Sequence, residues 1–298
     1  MSLQFLLDGL IAGSMIGLGA IGVTLTYSIL RFSNFAHGDF MAWGAYAALA
    51  IVGALGGSTA LRPLSFGWPL LLAMIVAMAL TALLALALDW LLFARLRARG
   101  QSIVVVMASF GASMALRSLL EFIFTSRPTY FSRAIQMAMP VGLGIKITAD
   151  QIALLALTLV LVTGMHLFIS RSQRGREMRA YAQNPSLAQI VGIDVNRVVR
   201  ATWIIGAALA CAAGVMLGVL VQIRPLMGLS LLLPIFAAAI LGGIGSIPGA
   251  VLGGLIIGLT EAAAVQFIGA EWRSAVAFVI LMAVLLLRPV GLFGVAER

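Results

Sequence analysis

Cysteine, lysine and histidine are nearly missing from this chain, and charge of either sign is scarce. Cys211 is the one cysteine, so no internal disulfide can form; it lies in the apolar run Ala207–Val221 and reads as small-residue packing. His37 and His166 are too few for a multi-histidine metal site, and no H-E-x-x-H motif is present, so neither a metal nor a cofactor is expected. The one lysine, Lys146, is not preceded by glycine, which removes the G-x-x-x-x-G-K-[ST] phosphate loop. If ATP drives anything here, another polypeptide must bind it. Charged residues make up only 10% of the chain, against roughly 25% in soluble domains. The first segment lacks a basic n-region, carries Asp8 early and runs apolar too long for a secretory signal, so it is expected to stay in the mature protein.

What is present is apolar surface. Hydrophobic residues are 62% of 298, more than a soluble fold of this length can hide, so the bilayer is the expected solvent. A helix needs about 20 mostly apolar residues to cross it. Nine stretches qualify or nearly do: Phe5–Leu30, Phe40–Leu55, Trp68–Phe93, Ile103–Phe124, Ile152–Ser170, Thr202–Val221, Leu229–Gly243, Ala250–Gln266 and Ala275–Leu287. Phe40–Leu55 and Leu229–Gly243 are short enough to be half-helices, which leaves eight or nine spans. The fold class is an all-α polytopic bundle, 1–298 forming one transmembrane domain. The net charge of +9 comes mostly from arginines between apolar runs. That placement points to topological anchoring by the positive-inside rule, not to nucleic acid. Loop 94–100 holds Arg95, Arg97 and Arg99, and loop 171–200 holds Arg171, Arg174, Arg176, Arg179, Arg197 and Arg200. Two spans separate these loops, so both belong on the cytoplasmic side, with the N-terminus periplasmic and Arg288 and Arg298 cytoplasmic. Arg127, Arg133 and Lys146 in the stretch 125–146 fall outside.

Two segments break the apolar pattern: Asn34-Phe35-Ala36-His37-Gly38-Asp39 and Gly242-Gly243-Ile244-Gly245-Ser246-Ile247-Pro248-Gly249. Irregular backbone at membrane depth survives only where protein or water satisfies it, and interrupted segments in two halves of a transporter point to its pathway; short interfacial loops are the plainer alternative. Small residues recur every fourth position at Gly9, Gly13 and Gly17, at Gly206, Ala210, Gly214 and Gly218, and at Gly245, Gly249 and Gly253, the spacing of close helix crossings within or between subunits.

Few polar residues lie inside the spans. Asn34, His37 and Asp39 either line a polar path or, for Asp39, cap the helix beginning near Phe40. Glu261 is a pathway residue or the partner of an arginine. Arg117 and Glu121 are four apart, the spacing of a structural ion pair. Asp8, Asp89 and Glu121 read as interfacial. Gly111-Ala112-Ser113-Met114 partly resembles the nucleophile motif of rhomboid-type intramembrane proteases, with His166 in the next span, but it departs at Met114; Ser113 reads more simply as a packing hydroxyl.

The loop 171–200 is the most informative segment. Met178, Tyr181 and Ala182 share a helical face, Asn184 and Pro185 open a new helix as cap and first residue, Leu187, Ile190 and Val191 form an apolar stripe, and Gly192 ends it. Two short helices with an apolar patch fit either a partner's groove or the lipid headgroups.

Four blocks carry a family resemblance: Asn34–Asp39; Arg176-Glu177-Met178-Arg179-Ala180 through Gly192-Ile193-Asp194; Leu241–Ala250; and Leu287–Gly294. In this order they resemble the permeases of branched-chain amino acid ABC importers (the Liv type, and its H-like subunit). The resemblance implies a second homologous permease subunit, two cytoplasmic ABC ATPases, a periplasmic substrate-binding protein and a bacterial inner (plasma) membrane. It also implies coupling to the ATPase through Glu177, Met178, Ala182, Leu187, Ile190 and Gly192. Asn34, His37, Asp39, Gly242, Gly243, Gly245 and Glu261 are the candidate pathway residues. No catalytic residue, metal or nucleic acid is implied. The rival readings are an ion-coupled secondary transporter using Asp39 or Glu261, and the Ser113 protease.

Overall fold

A backbone amide in hydrocarbon has no water to bond, so the chain answers with helices wherever it runs apolar. The computed structural model describes residues 3–57, 61, 64–100, 102–132, 136–142, 145–288 and 290–294. Arg133, Pro289 and Arg298, which enter the charge and block readings above, lie outside the described residues. The helices are α1 (Gln4–Leu30), α2 (His37–Ala54), α3 (Trp68–Leu88), α4 (Ala94–Arg97), α5 (Ser102–Phe124), α6 (Ala149–Arg171), α7 (Gln173–Gln183), α8 (Pro185–Ile190), α9 (Val195–Leu220), α10 (Met227–Gly242), α11 (Ile247–Phe267) and α12 (Arg273–Leu287). A π-helical stretch, Asp89–Phe93, joins α3 to α4, so that Trp68–Arg97 is one apolar helix. A short hairpin, β1 (Met139–Gly142) and β2 (Ile145–Ile147), sits on the face opposite the arginine-rich loops.

Seven of the described helices are long and apolar enough to cross a membrane, one or two fewer than the eight or nine spans expected; α2 and α10 account for the other two apolar segments. The expectation of a short helix holds for α10; α2, at 18 residues, is as long as Ala270–Leu287, which counts among the seven. At 16 residues α10 rises about 24 Å, less than the roughly 30 Å hydrocarbon thickness. α2 and α10 each follow a six-residue non-helical stretch, 31–36 or 221–226, that re-enters the bundle after a long helix.

Backbone contact at glycine sets the arrangement. Gly38 and Gly228, each the second residue of its helix, meet head to head: a Cβ on Gly38 would lie 2.5 Å from the Gly228 carbonyl oxygen, and one on Gly228 would overlap the Gly38 carbonyl. α2 and α10 therefore start at one point inside the bundle and run apart. α1 packs on α11 as α9 packs on α3, and α2 packs on α9 as α10 packs on α1. The C-terminal half of α1 meets the N-terminal half of α9, with Gly22 and Thr26 against Gly206. The first three long segments and α9–α11 thus repeat one pattern in opposite senses, an inverted repeat.

The small-residue stripes serve packing inside this chain. Gly13 faces the Gly254 carbonyl and the Leu255 Cα, each 2.8 Å from where its Cβ would be, and Gly44 lies against Cys211. Cys211 is buried and forms no disulfide, filling space as expected. Van der Waals fit of this kind replaces the hydrophobic drive that lipid cannot supply. α12 and α6 are mostly outward-facing.

Gly13→Val should therefore overpack the α1–α11 contact, costing about 1–3 kcal/mol or more. In detergent its melting temperature should fall well below wild type, while Gly164→Val, whose site has no atom within 4 Å, should melt as wild type. Equal melting of the two variants would contradict the contact.

Candidate functional site

The arginine-rich face is built from caps. Ser172 Oγ accepts from the Gly175 amide at 2.9 Å to start α7, and Asn184 Oδ1 accepts from the Leu187 amide at 2.9 Å to start α8, with Pro185 at its first turn. Gly192, at φ 85°, turns the chain out of α8 in the left-handed region that favours glycine. Asp194 Oδ1 then caps α9 through the Arg197 amide. Every cap is a side chain the sequence places at the right offset.

The six residues of the segment divide by direction. Met178 is buried, and the Ala182 carbonyl accepts from Arg31 Nη2 at 2.7 Å. Glu177 stays local, accepting from Gln173 Nε2 at 3.3 Å. Leu187, Ile190 and Val191 point outward, 56%, 81% and 67% exposed. Tyr181 and Ala182 are half-buried against the core. The helix pair is thus anchored on one side and presents an apolar stripe on the other. Arg31 was not singled out in the sequence. It ends α1 at φ 59°, a left-handed conformation costing an L-residue about 1–2 kcal/mol, and so ties α1 to α7.

Three of the sequence blocks converge beside it. The Leu292 amide donates to the Leu241 carbonyl at 2.8 Å and the Phe293 amide to the Gly242 carbonyl at 3.1 Å, so the C-terminal block closes on the end of α10. Gly243, at φ 95°, lies against Gly294. The Gly245 amide donates to Thr24 Oγ1 at 2.7 Å, pinning the glycine turn to α1. A cavity of about 620 Å³ opens between Tyr27 and Arg31 of α1, Arg179 and Ala182 of α7, the turn 244–248 and Phe293. Loops 94–100 and 171–200 share a second cavity, so they lie on one face, as the charge pattern requires.

The polar residues at membrane depth do not form one cluster. Asn34, His37, Asp39 and Glu261 are all buried. Asn34 Oδ1 accepts from the Ala36 amide at 3.1 Å, and its Nδ2 has no partner among the described residues. His37 turns to α1, its Nε2 3.1 Å from the Gly19 carbonyl. Asp39 turns to α5, where it accepts from Ser113 Oγ and faces Arg117 Nη2 at 3.4 Å. Two expectations change here. Asp39 is not the cap of α2: the helix starts at His37, with Ala36 at the cap position and Asp39 in its first turn. Arg117 pairs not with Glu121 but with Asp39, because the re-entrant segment brings a carboxylate into the interior where Arg117 points. Ser113 bonds Asp39 and Arg117, while His166 is exposed on α6 and lines the 620 Å³ cavity. Glu261 Oε2 accepts from Arg273 Nε at 2.8 Å, so an arginine does partner it, and its Oε1 has no partner among the described residues. Among the described residues no group of three His, Cys, Asp or Glu is placed to hold a metal ion.

Known proteins give this arrangement a context. The chain is 33% identical to the high-affinity branched-chain amino acid transport system permease protein LivH of Escherichia coli (strain K12), over 99% of this chain and 96% of that protein. It is 35% identical to the permease protein BraD of Pseudomonas aeruginosa, also a high-affinity branched-chain amino acid transport system protein, with the same coverage of each. A probable branched-chain amino acid transport permease protein LivH of Methanocaldococcus jannaschii is 28% identical over 98% of this chain and 93% of its own. The family model for the permease component of the branched-chain amino acid transport system matches residues 5–285. The chain therefore belongs to the branched-chain amino acid transport system permease family, as a multi-pass protein of the inner (plasma) membrane.

Proposed function

We propose that this chain is the transmembrane permease subunit of an ABC importer for branched-chain or related amino acids, forming the translocation path and coupling it to a separate ATPase. The names of its relatives support the substrate class. The observation that carries the coupling role is the apolar stripe Leu187–Ile190–Val191, exposed on a helix pair whose other side is anchored in the bundle. An unpaired apolar stripe on a capped helix is a docking face for a partner groove. With no phosphate loop of its own, the chain takes its energy from two cytoplasmic ABC ATPases. A second homologous permease and a periplasmic substrate-binding protein complete the assembly, and the binding protein sets selection.

In this reading the segment 171–200 is the coupling loop. Leu187 and Ile190 meet the ATPase, Met178 and Ala182 hold the segment to the bundle, Glu177 orders α7 through Gln173, and Gly192 lets the chain turn back into α9. A push on α8 passes through α7 and the Arg31–Ala182 bond to α1, and from α1 through Thr24 to the turn at Gly245. Rocking of α1 and α11 then opens a path past Asn34–Asp39 and Gly242–Gly249. His37 and Asp39 act there by holding the re-entrant segment to α1 and α5, and Glu261 by holding Arg273 at the opposite face.

Replacing both Leu187 and Ile190 with Asp should abolish uptake in cells lacking the native gene while leaving the chain folded, because both side chains are exposed. Uptake at the wild-type rate would refute the docking face. Arg31→Gly keeps the left-handed backbone without strain and removes the bond to Ala182. Its melting temperature should match or exceed wild type, while substrate moved per ATP hydrolysed in proteoliposomes falls. An unchanged ratio would remove Arg31 from the coupling route.

A further inference from the structure

A cavity of about 900 Å³ lies on the arginine-rich face, beneath the end of α1 and between α4, α8 and α9. Its charged lining is Arg31, Arg97 and Arg200 with one acid, Asp89. Asp89 Oδ1 lies 2.7 Å from Arg97 Nη2 as an ion pair, and Asp89 Oδ1 and Arg97 Nη1 are both buried without a hydrogen-bond partner among the described residues. The lining therefore carries uncompensated positive charge and a buried donor. The rest of its lining is mixed: Ile29, Leu86 and Val199 give it an apolar wall, and Tyr181, Gln189 and Asn196 add uncharged polar groups. Trp90 borders the cavity and is 67% exposed, on the outer face of α3–α4, with the Arg95 guanidinium 5.6 Å above its ring. The π-helical turn Asp89–Phe93 sets this rim: Phe93 packs inward, its ring stacked 5.2 Å from Trp203, while Trp90 faces out.

A basic pocket with an apolar wall and a tryptophan at its edge matches an anionic phospholipid. The phosphodiester would meet the arginines, the acyl chains would run along the apolar wall, and an indole at headgroup level fits the aromatic belt of membrane interfaces. The positive-inside rule assigns this face to the cytoplasmic leaflet, where anionic lipids and basic pockets between helices meet. We propose that this cavity is a site for the headgroup of one anionic phospholipid, held by Arg97 and Arg200. Because α7 and α8 form part of its wall, through Tyr181, Pro185 and Gln189, the lipid braces that helix pair against α3–α4. The inference stands apart from the transport reading, since it needs only the cavity and the membrane.

Native mass spectrometry of the full-length purified chain tests it, with palmitoyl-oleoyl phosphatidylglycerol, the matching phosphatidylcholine, or orthophosphate added. One phosphatidylglycerol should be retained in preference to phosphatidylcholine. Arg200→Gln should weaken that retention by about fivefold, the contribution of one basic residue near anionic lipid. Arg97→Gln should do the same, and if it fails to fold because Asp89 is left alone, the exposed Arg200 still decides. Arg174→Gln, an exposed arginine that does not line the cavity, should leave retention unchanged. Equal retention of the two lipids, or wild-type retention by folded Arg200→Gln, would overturn the site. Displacement of the lipid by an equimolar amount of orthophosphate would overturn the lipid as occupant. So would its displacement by a protein that co-purifies with the chain.

Discussion

Direct backbone contact at glycine, above all where Gly38 meets Gly228, is the constraint on which this bundle depends. Lipid tails solvate leucine as well as protein does, so helices here gain little from hiding apolar side chains and much from close fit. Two helix starts that touch at backbone distance fix α2 and α10 relative to each other and leave room for nothing larger than hydrogen. The re-entrant stretches 31–36 and 221–226 follow from that meeting, because each must bring the chain back from a membrane face to the interior. Their backbone survives there since protein groups satisfy part of it: Asn34 bonds the Ala36 amide, Ser109 Oγ accepts from the Phe35 amide, and Ile223 bridges Thr129.

From that centre the order extends to the arginine-rich face along α1. The Gly19 carbonyl meets His37 and Gly22 leaves room for its ring, Thr24 holds the Gly245 turn, and Arg31 holds α7. One helix thus touches the interior, the glycine turn and the segment proposed to couple. The buried charges fit the same logic. Asp39 and Glu261 each face an arginine, which limits the cost of keeping a carboxylate inside the bundle.

Much of this was legible in the residues. Hydropathy gave the nine apolar segments, and the shortness of Leu229–Gly243 already marked α10. Asn184-Pro185 and Gly192 announced the limits of α8, because cap chemistry is local. What was not legible depends on distance along the chain. Helical spacing picks Glu121 for Arg117, but Asp39, 78 positions away, is brought to it by the fold. Arg273 as partner of Glu261 requires the turn between α11 and α12. The start of α2 at His37 follows from the Asn34 bond to Ala36, which no capping pattern at Asp39 reveals. Neither Arg31 in the left-handed region nor the π-helical stretch at Asp89–Phe93 has a signature in residue type, since both are imposed by packing.

The most direct test of the central claim is the composition of the particle this chain forms in the membrane. A tagged copy, expressed with its neighbours, would be extracted in two mild detergents and its companions identified by mass spectrometry. The account predicts an ABC ATPase and a second, related permease in both extracts. Recovery of the chain alone from both, together with ion-gradient-driven transport by the purified chain, would contradict it.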